Sequence, residues 1–303
     1  MAQGRKKSRQ LWNRDYISER LFILIVYLIL TFLLIITFYP VYYVFVASFS
    51  DNVSANSGRV LFYPQGFHLA GYTGILQMQR IWTGYQNTII YVVFGTLFGL
   101  VCCIPAGYSL SRRDLPARNI IMALFVFTMF FSGGMIPTYL TVRNLRLLNS
   151  RLVLIIMGSV SIYNIILTRT FFTMNIPHEL REATVIDGCG NFRFFIQFAV
   201  PLSKAIITVI TLYVAVYHWN AYFNALLFIT DRTKHPLQVI LRELLTSRLT
   251  EFTGNIVLAE DNQQMLQVIR YSVIVVSVVP IMCLYPFVQK YFIKGVMIGS
   301  IKG

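Results

Sequence analysis

The stretch Glu182–Pro201, EATVIDGCGNFRFFIQFAVP, lies between two long apolar segments and differs from both in composition. It contains two acids, one basic residue, two glycines and a polar turn. Pro177, just upstream, is suited to the start of a helix, and Gly188 is suited to the position that ends one. The pattern predicts two short helices joined by a turn at a membrane surface. They form either a docking unit for a soluble partner or an amphipathic connector without one.

The whole chain has the composition of a polytopic membrane protein. Of its 303 residues, 56% are hydrophobic and only 13% are charged, and the mean hydropathy is +0.63. A soluble domain of this length carries more charge on its surface. The net charge of +14 is compatible with nucleic-acid binding. Topology and anionic lipid explain the charge more simply, so we expect membrane lipid and no nucleic acid among the partners.

Six apolar segments are long enough to cross a bilayer as helices, which takes roughly 20 residues each. They are 21–47, 86–111, 118–141, 150–174, 201–229 and 268–292. The predicted fold is therefore all-α, a polytopic membrane protein with six transmembrane helices. It divides into an N-terminal segment (1–20), a six-helix domain (21–292) with an amphipathic loop at 175–200, and a tail (293–303). Ser132, Gly133, Gly134 and Pro137 predict a kink in the third span, and Gly95 and Gly99 predict close helix packing in the second.

The distribution of Lys and Arg predicts that both termini lie in the cytoplasm. With that orientation, 16 of the 26 basic residues face the cytoplasm. The loops 48–85 and 230–267 then lie outside. Three outer arginines, Arg143, Arg146 and Arg151, weaken this bias, and they are either structural or contacts for an acidic ligand.

Several function classes lack their sequence signals. No phosphate-binding loop occurs, no nucleophile is paired with a base, and the four cysteines (102, 103, 189 and 283) have no metal-ligand spacing. We therefore predict no catalytic residue, no metal site and no bound cofactor. The alternative of an ion-coupled secondary sugar transporter predicts an acid within a span and an inverted repeat, and a membrane-embedded enzyme predicts clustered His or carboxylates. None of these is found in the sequence.

The opening stretch resembles the EAA motif of permease subunits in ATP-binding-cassette (ABC) importers. Glu182, Ala183 and Thr184 match its triplet, Gly188 its glycine, and Phe198 and Val200-Pro201 its last positions. Thr184 and Cys189 depart from the usual alanines but are also small. The resemblance implies a coupling helix that docks into a cytoplasmic ATPase. The ATPase-coupling residues it implies are Glu179, Glu182, Ala183, Thr184, Asp187, Gly188, Phe198 and Pro201.

Three further stretches resemble maltose-type carbohydrate permeases. The C-terminal YPFVQKYFIKGVMIGSIKG is similar to the end of their smaller permease subunit, and HWNAYFNALLF (218–228) to their fifth span. FSGGMIPTYL (131–140), together with that ending, resembles a subgroup associated with complex oligosaccharides, some of them acidic. The resemblance implies that a tail including Gly299, Lys302 and Gly303 reaches between two ATPase subunits. The other reading of the tail is a frayed basic end at the membrane surface.

The resemblance also implies a multi-subunit transporter complex with a type I ABC importer architecture. This permease would form a heterodimer with a homologous permease in the bacterial cytoplasmic (inner) membrane. Two ATPase subunits would use ATP and Mg²⁺, and an extracytoplasmic binding protein would deliver an oligosaccharide, with an acidic (uronic) one as a hypothesis. The loop before the last span would dock that binding protein through Arg242, Glu243, Arg248, Asn262 and Gln263.

Polar and aromatic side chains in the fourth and fifth spans are candidates for the sugar path, because aromatic faces and amides suit hydroxylated rings. They are Tyr163, Asn164, Tyr217, His218, Asn220, Tyr222 and Asn224. The other reading, which the sequence leaves open, is an aromatic belt with hydrogen bonds between helices.

Overall fold

A computed structural model describes residues 2–51, 54–55, 59–246, 269–283 and 286, with side chains from residue 19 onward. In these ranges the chain is built from helices and their connections, and no strand occurs, which agrees with the predicted all-α class. The chain divides into two compact units. The first comprises residues 1–74 and 257–275, and the second comprises residues 75–256 and 276–303.

The first unit is dominated by helix α1, Ala2–Ser48. Its segment Glu19–Ser48 is apolar and long enough to span a membrane, as predicted for residues 21–47. The membrane-spanning part is almost entirely exposed in the isolated chain. At its end the Ser48 hydroxyl lies 2.7 Å from the Tyr72 hydroxyl, and the Ser272 hydroxyl donates to the Ser48 carbonyl at 3.3 Å.

Twelve further helices follow in the described ranges. They are α2 (Ala70–Gln77), α3 (Gln79–Ser111), α4 (Arg118–Phe130), α5 (Met135–Asn144), α6 (Arg151–Ile156), α7 (Ile162–Asn175), α8 (His178–Ile186), α9 (Asn191–Leu202, with a π-helical stretch over Phe195–Ala199), α10 (Lys204–Asn220), α11 (Phe223–Phe228), α12 (Leu237–Thr246) and α13 (Ile269–Cys283). A short 3₁₀ turn, Arg232–Lys234, precedes α12.

Helix α3 is the centre of the second unit and packs against α7 and α10. Two glycines allow the close approach. A side chain at Gly95 would overlap the His218 imidazole, and one at Gly99 would come within 2.6 Å of the Ser159 carbonyl oxygen. This packing confirms the role predicted for the GxxxG pair.

Three of the predicted spans are interrupted. Helices α4 and α5 are bent by 112° across residues 131–134, which confirms the kink predicted in the third span. The fourth predicted span breaks between α6 and α7, where Gly158 has a φ of +83°. The fifth does not begin at Pro201, because Pro201 belongs to α9, and α9 meets α10 at an 81° bend.

The number of spans therefore stays partly a prediction. By length and composition, two helices in the described residues can cross a membrane, or up to four if each bent pair is one span. Helix α13 is apolar but shorter. The structure describes residues 269–283 and 286 of the sixth predicted span, 268–292, whereas the tail, 293–303, lies outside the described residues.

Candidate functional site

Helix α8 lies within the predicted coupling segment, and its ends are fixed by local chemistry. Pro177 precedes it in an extended conformation, and Glu179 lies in its first turn, where an acid favours the helix dipole. At the other end Gly188 has a φ of +75°. The Gly188 amide donates to the Val185 carbonyl at 3.0 Å and the Cys189 amide to the Thr184 carbonyl at 2.9 Å. This is a Schellman motif, so the predicted terminating role of Gly188 is confirmed.

The two faces of α8 differ in what they contact. Thr184 is buried, and Leu180 packs against the core. Ala183, three residues after Leu180 and next to Thr184, is exposed. Glu179, Glu182 and Asp187 are also exposed. The outward face of α8 therefore carries acids and Ala183, whereas Thr184 contributes to folding.

Sequence reasoning missed the apolar side chains on this surface. Ile186 is 86% exposed, Phe192 at the start of α9 is 76% exposed, and Val185 is 53% exposed. Val185 and Ile186 are three and four residues after Glu182, which places them near it on a helix. That spacing was the signal available in the sequence. The coupling surface, defined here as Glu179, Glu182, Val185, Ile186 and Phe192, thus combines acids with unpartnered apolar groups.

Phe198 and Pro201, the last positions of the EAA-like motif, lie behind this surface. The Phe198 ring stacks on the buried Phe194 ring, with centroids 5.5 Å apart, and belongs to the core. Pro201 is exposed at the end of α9. Gly190 is at the N-cap position of α9, and Asn191 is its first residue.

An ionic cluster fastens α8 to the turn after α3. The Arg181 guanidinium donates to both carboxylate oxygens of Asp114, at 3.0 and 2.9 Å. Arg112 also donates to both oxygens, through Nε at 3.0 Å and through Nη2. Arg112, and after it Arg181, hold the pKa of the Asp114 carboxyl well below its usual range. Asp114 is therefore ionised at neutral pH and binds two cations.

The candidate path residues separate into exposed and buried groups. Asn164 and His218 are buried, and the His218 Nε2 atom lies 2.8 Å from the Ser159 hydroxyl. These two side chains therefore do not line an exposed face in this conformation. The exposed or half-exposed members are Tyr163, Tyr217, Asn220, Tyr222 and Asn224.

The exposed members of the set form small pairs. The Asn224 amide donates to the Tyr217 hydroxyl at 3.1 Å, and the Tyr217 ring covers Gly158. Tyr213, which the sequence analysis did not select, lies beside Tyr163 with ring centroids 6.3 Å apart. Its position four residues before Tyr217 on α10 was the signal that could have identified it.

Two candidate binding-protein contacts are described, and they differ. The Arg242 guanidinium lies 4.7 Å from the centroid of the Tyr222 ring and is exposed. Glu243 pairs with Arg80 at 2.8 Å and lies 3.8 Å from the His235 Nδ1 atom, so its charge is engaged within the chain. Arg248, Asn262 and Gln263, together with the tail residues Gly299, Lys302 and Gly303, lie outside the described residues.

Backbone carbonyls of the segment 231–237 accept hydrogen bonds from side chains in the N-terminal part of α3. Asn87 Nδ2 donates to the Thr233 and His235 carbonyls at 2.7 and 3.1 Å, and the Tyr91 hydroxyl donates to the Lys234 carbonyl at 2.7 Å. Arg151 donates to Asn87 Oδ1 at 3.1 Å, which favours the structural reading of this arginine. In the described part of the chain, no three His, Cys, Asp or Glu side chains are grouped as a metal site.

The chain is similar in sequence to two proteins of Bacillus subtilis over most of its length. No family model matches the chain. The polygalacturonan/rhamnogalacturonan transport system permease protein YtcP of Bacillus subtilis is 36% identical over 286 residues, covering 94% of this chain and 100% of YtcP. Protein LplC of the same organism is 37% identical over 269 residues, covering 88% of this chain and 90% of LplC.

A solved structure is similar along nearly the whole chain. It is the crystal structure of a bacterial ABC transporter involved in the import of the acidic polysaccharide alginate. One of its chains superimposes with a TM-score of 0.82 and 31% sequence identity, covering 91% of this chain and 98% of that chain.

Proposed function

The chain belongs to the permease subunits of ABC-type oligosaccharide importers, and from this premise we propose that it forms one half of a sugar path coupled to a cytoplasmic ATPase. In this proposal it pairs with a homologous permease, two ATPase subunits and an extracytoplasmic binding protein. The ATPase subunits bind ATP and Mg²⁺, and this chain binds neither. Its membership and apolar helices support a multi-pass protein of the bacterial inner membrane. From the distribution of Lys and Arg, we propose that both termini lie in the cytoplasm.

The coupling surface is the observation that carries the proposal. An amphipathic helix that docks into a groove presents apolar anchors with a polar rim. Val185, Ile186 and Phe192 have the exposure of such anchors, and Glu179 and Glu182 are the acids beside them. We therefore assign this surface to the ATPase, with Glu182 facing a basic residue. Asp187 and Ala183 contribute to the rim, and the tail residues Gly299, Lys302 and Gly303 are proposed as a second ATPase contact.

The proposed substrate is an oligosaccharide with uronic acid units. Two of the similar proteins are named for polygalacturonan or alginate, which are acidic polysaccharides. The exposed Tyr163, Tyr217 and Tyr222 offer aromatic faces for sugar rings. Arg242, stacked on Tyr222, is a cation beside this set. Arg242 is also proposed to dock the binding protein, together with Arg248, Asn262 and Gln263.

Reconstituted uptake tests the proposal. The permease is purified with its partner permease and ATPase, placed in proteoliposomes, and supplied with the binding protein and ATP. We expect ATP-dependent uptake of trigalacturonate that exceeds uptake of its fully methyl-esterified, neutral counterpart. Equal uptake of both would refute the acidic preference, and uptake without ATP would refute the importer mechanism.

A further inference from the structure

The orientation of α8 cannot be set by its covalent connections. The helix has nine residues, too few to be stable alone. It is joined to α7 through the extended Pro177 and to α9 through Gly188, whose φ is positive. The proline and the Schellman motif define where the helix begins and ends, and side-chain contacts determine which face of the helix meets the core. The inward residues Leu180 and Thr184 supply part of that contact, but their packing is apolar or local.

The Asp114 bridge, defined as Arg112, Asp114 and Arg181, supplies directional contact. Arg112 directly follows α3, and Arg181 lies in the middle of α8. Each guanidinium meets both carboxylate oxygens, which fixes angle as well as distance. Arg118, at the start of α4, also donates to the Arg112 carbonyl at 3.2 Å. The bridge therefore joins the coupling helix to the end of α3.

Helix α3 continues from this bridge to the opposite end of the second unit. It has 33 residues, a length of about 50 Å. It is held along this length by close packing at Gly95, Gly99 and Gly107. At its far end Asn87 and Tyr91 bind the backbone of the segment 231–237, and the Leu237 amide donates to Thr88 Oγ1 at 2.8 Å. Helix α3 is thus bound to α8 through the Asp114 bridge, and to the segment 231–237, which leads into α12, through Asn87 and Tyr91.

We propose that the Asp114 bridge transmits movement of the coupling helix into α3, and that Asn87 and Tyr91 pass this movement to residues 231–237. Asp114 is then a positioning residue for the transport cycle. The inference rests on the proposed coupling of α8 to an ATPase. A competing route runs through α7, because Arg169 on α7 donates to the Leu110 carbonyl at 3.2 Å. The experiment must distinguish these routes.

Hydrogen–deuterium exchange of the complete transporter distinguishes the route through the Asp114 bridge from the route through α7. The experiment does not require the sugar. The permease complex is compared with and without ATP and vanadate, and exchange is read in peptides from α8 and from 231–237. The variants are Asp114→Asn, Arg181→Gln and the double variant. The matched control is Arg113→Gln, which changes the charge of an exposed neighbour in the same turn.

The expected result is a nucleotide response in both regions of the wild type. In Asp114→Asn the α8 response persists, while the response at 231–237 falls about fivefold or more. The double variant shows no further loss, because the two groups act as one unit, and Arg113→Gln behaves as wild type. An unchanged response at 231–237 in Asp114→Asn, or no response there in wild type, overturns the inference.

Retention of the ATPase in the purified complex distinguishes a failure of this inference from a failure of the proposed function. If Asp114→Asn no longer retains the ATPase, the bridge only maintains the coupling surface, and the inference is wrong. If wild type itself retains no ATPase, the proposed function is wrong instead. Retention of the ATPase is therefore measured on every sample before exchange begins.

Discussion

The His218 imidazole occupies the space that Gly95 leaves open on the neighbouring helix, and any side chain at position 95 would overlap it. His218 is 1% exposed and hydrogen-bonded to Ser159. A residue selected as a candidate for the sugar path is thus part of the contact between α3 and α10. The absence of a side chain at Gly95 thus allows the His218 imidazole of α10 to be buried against α3.

Gly95→Ala should destabilise the permease. The added methyl group must displace the imidazole, and overpacking of this kind costs about 1–3 kcal/mol in free energy of unfolding. The measurement is the apparent melting temperature of the purified protein in detergent. Gly190→Ala is the matched control, because no atom lies within 4 Å of its added carbon. Equal melting temperatures for the two variants would contradict the packing described here.

Ile186→Ala should weaken ATPase binding without lowering stability. Its side chain is 86% exposed, so shortening it to alanine leaves the packing of the core unchanged. A docked apolar anchor is worth about 2 kcal/mol or more, which corresponds to a loss of affinity of at least about thirtyfold. Titration of the ATPase against the permease in nanodiscs measures this. Leu180→Ala, on the inward face, should instead lower the melting temperature, and the reverse pattern would show that the two faces are assigned wrongly.

Arg242→Gln should slow the association of the binding protein. Exposed charges at an interface act chiefly on the association rate and its salt dependence. We expect a lower rate at low salt and a smaller effect of added salt than in wild type. Surface plasmon resonance on the reconstituted complex measures both. Arg232→Gln, an exposed cation in the same predicted outer loop, is the control. A normal rate and salt dependence in Arg242→Gln would remove Arg242 from the docking surface.

The contribution of Asp114 to stability should persist into mild acid. Because its folded pKa is lowered by Arg112 and Arg181, the stabilisation is complete above the unfolded pKa, about 3.9, and is lost as the pH falls through the lower folded pKa. The melting temperature of wild type should therefore exceed that of Asp114→Asn by the same margin at about pH 7 and at about pH 5. The margin should narrow only in stronger acid. A margin already lost at the milder pH would show that the carboxylate is not held by the two arginines.

The sequence predicted the segments whose signals are local. The helix at 178–186 and its Gly188 terminus follow from neighbouring residues, and the Schellman motif depends on nothing more distant. Apolar length alone placed α1 and α3. It did not place the interruptions at 157–161 and at Ser203, because the long apolar runs on either side outweigh the few Gly, Ser and Lys residues at these points. Gly158 was visible in the sequence, but neither its positive φ nor the Tyr217 ring that packs where a side chain would stand could be read from it.

Tertiary contacts decided the remaining assignments. The bond between Arg181 and Asp114 joins residues 67 positions apart, and no periodicity marks it. The burial of Thr184 and exposure of Ala183 depend on which side of α8 meets the core. Phe198 matches a motif position but belongs to that core. The motif thus predicts a coupling segment, and the structure shows which of its residues face outward.

Co-purification of the ATPase tests the central claim most directly. The wild-type permease and a Glu182→Lys variant are expressed with the same partner permease, ATPase and binding protein, and are purified in detergent. The charge-reversal control is Arg143→Glu, an exposed residue far along the chain from the coupling surface. Wild type and Arg143→Glu should retain the ATPase, and Glu182→Lys should lose it. Retention by all three would contradict the assignment of the coupling surface, and retention by none would contradict the importer function itself.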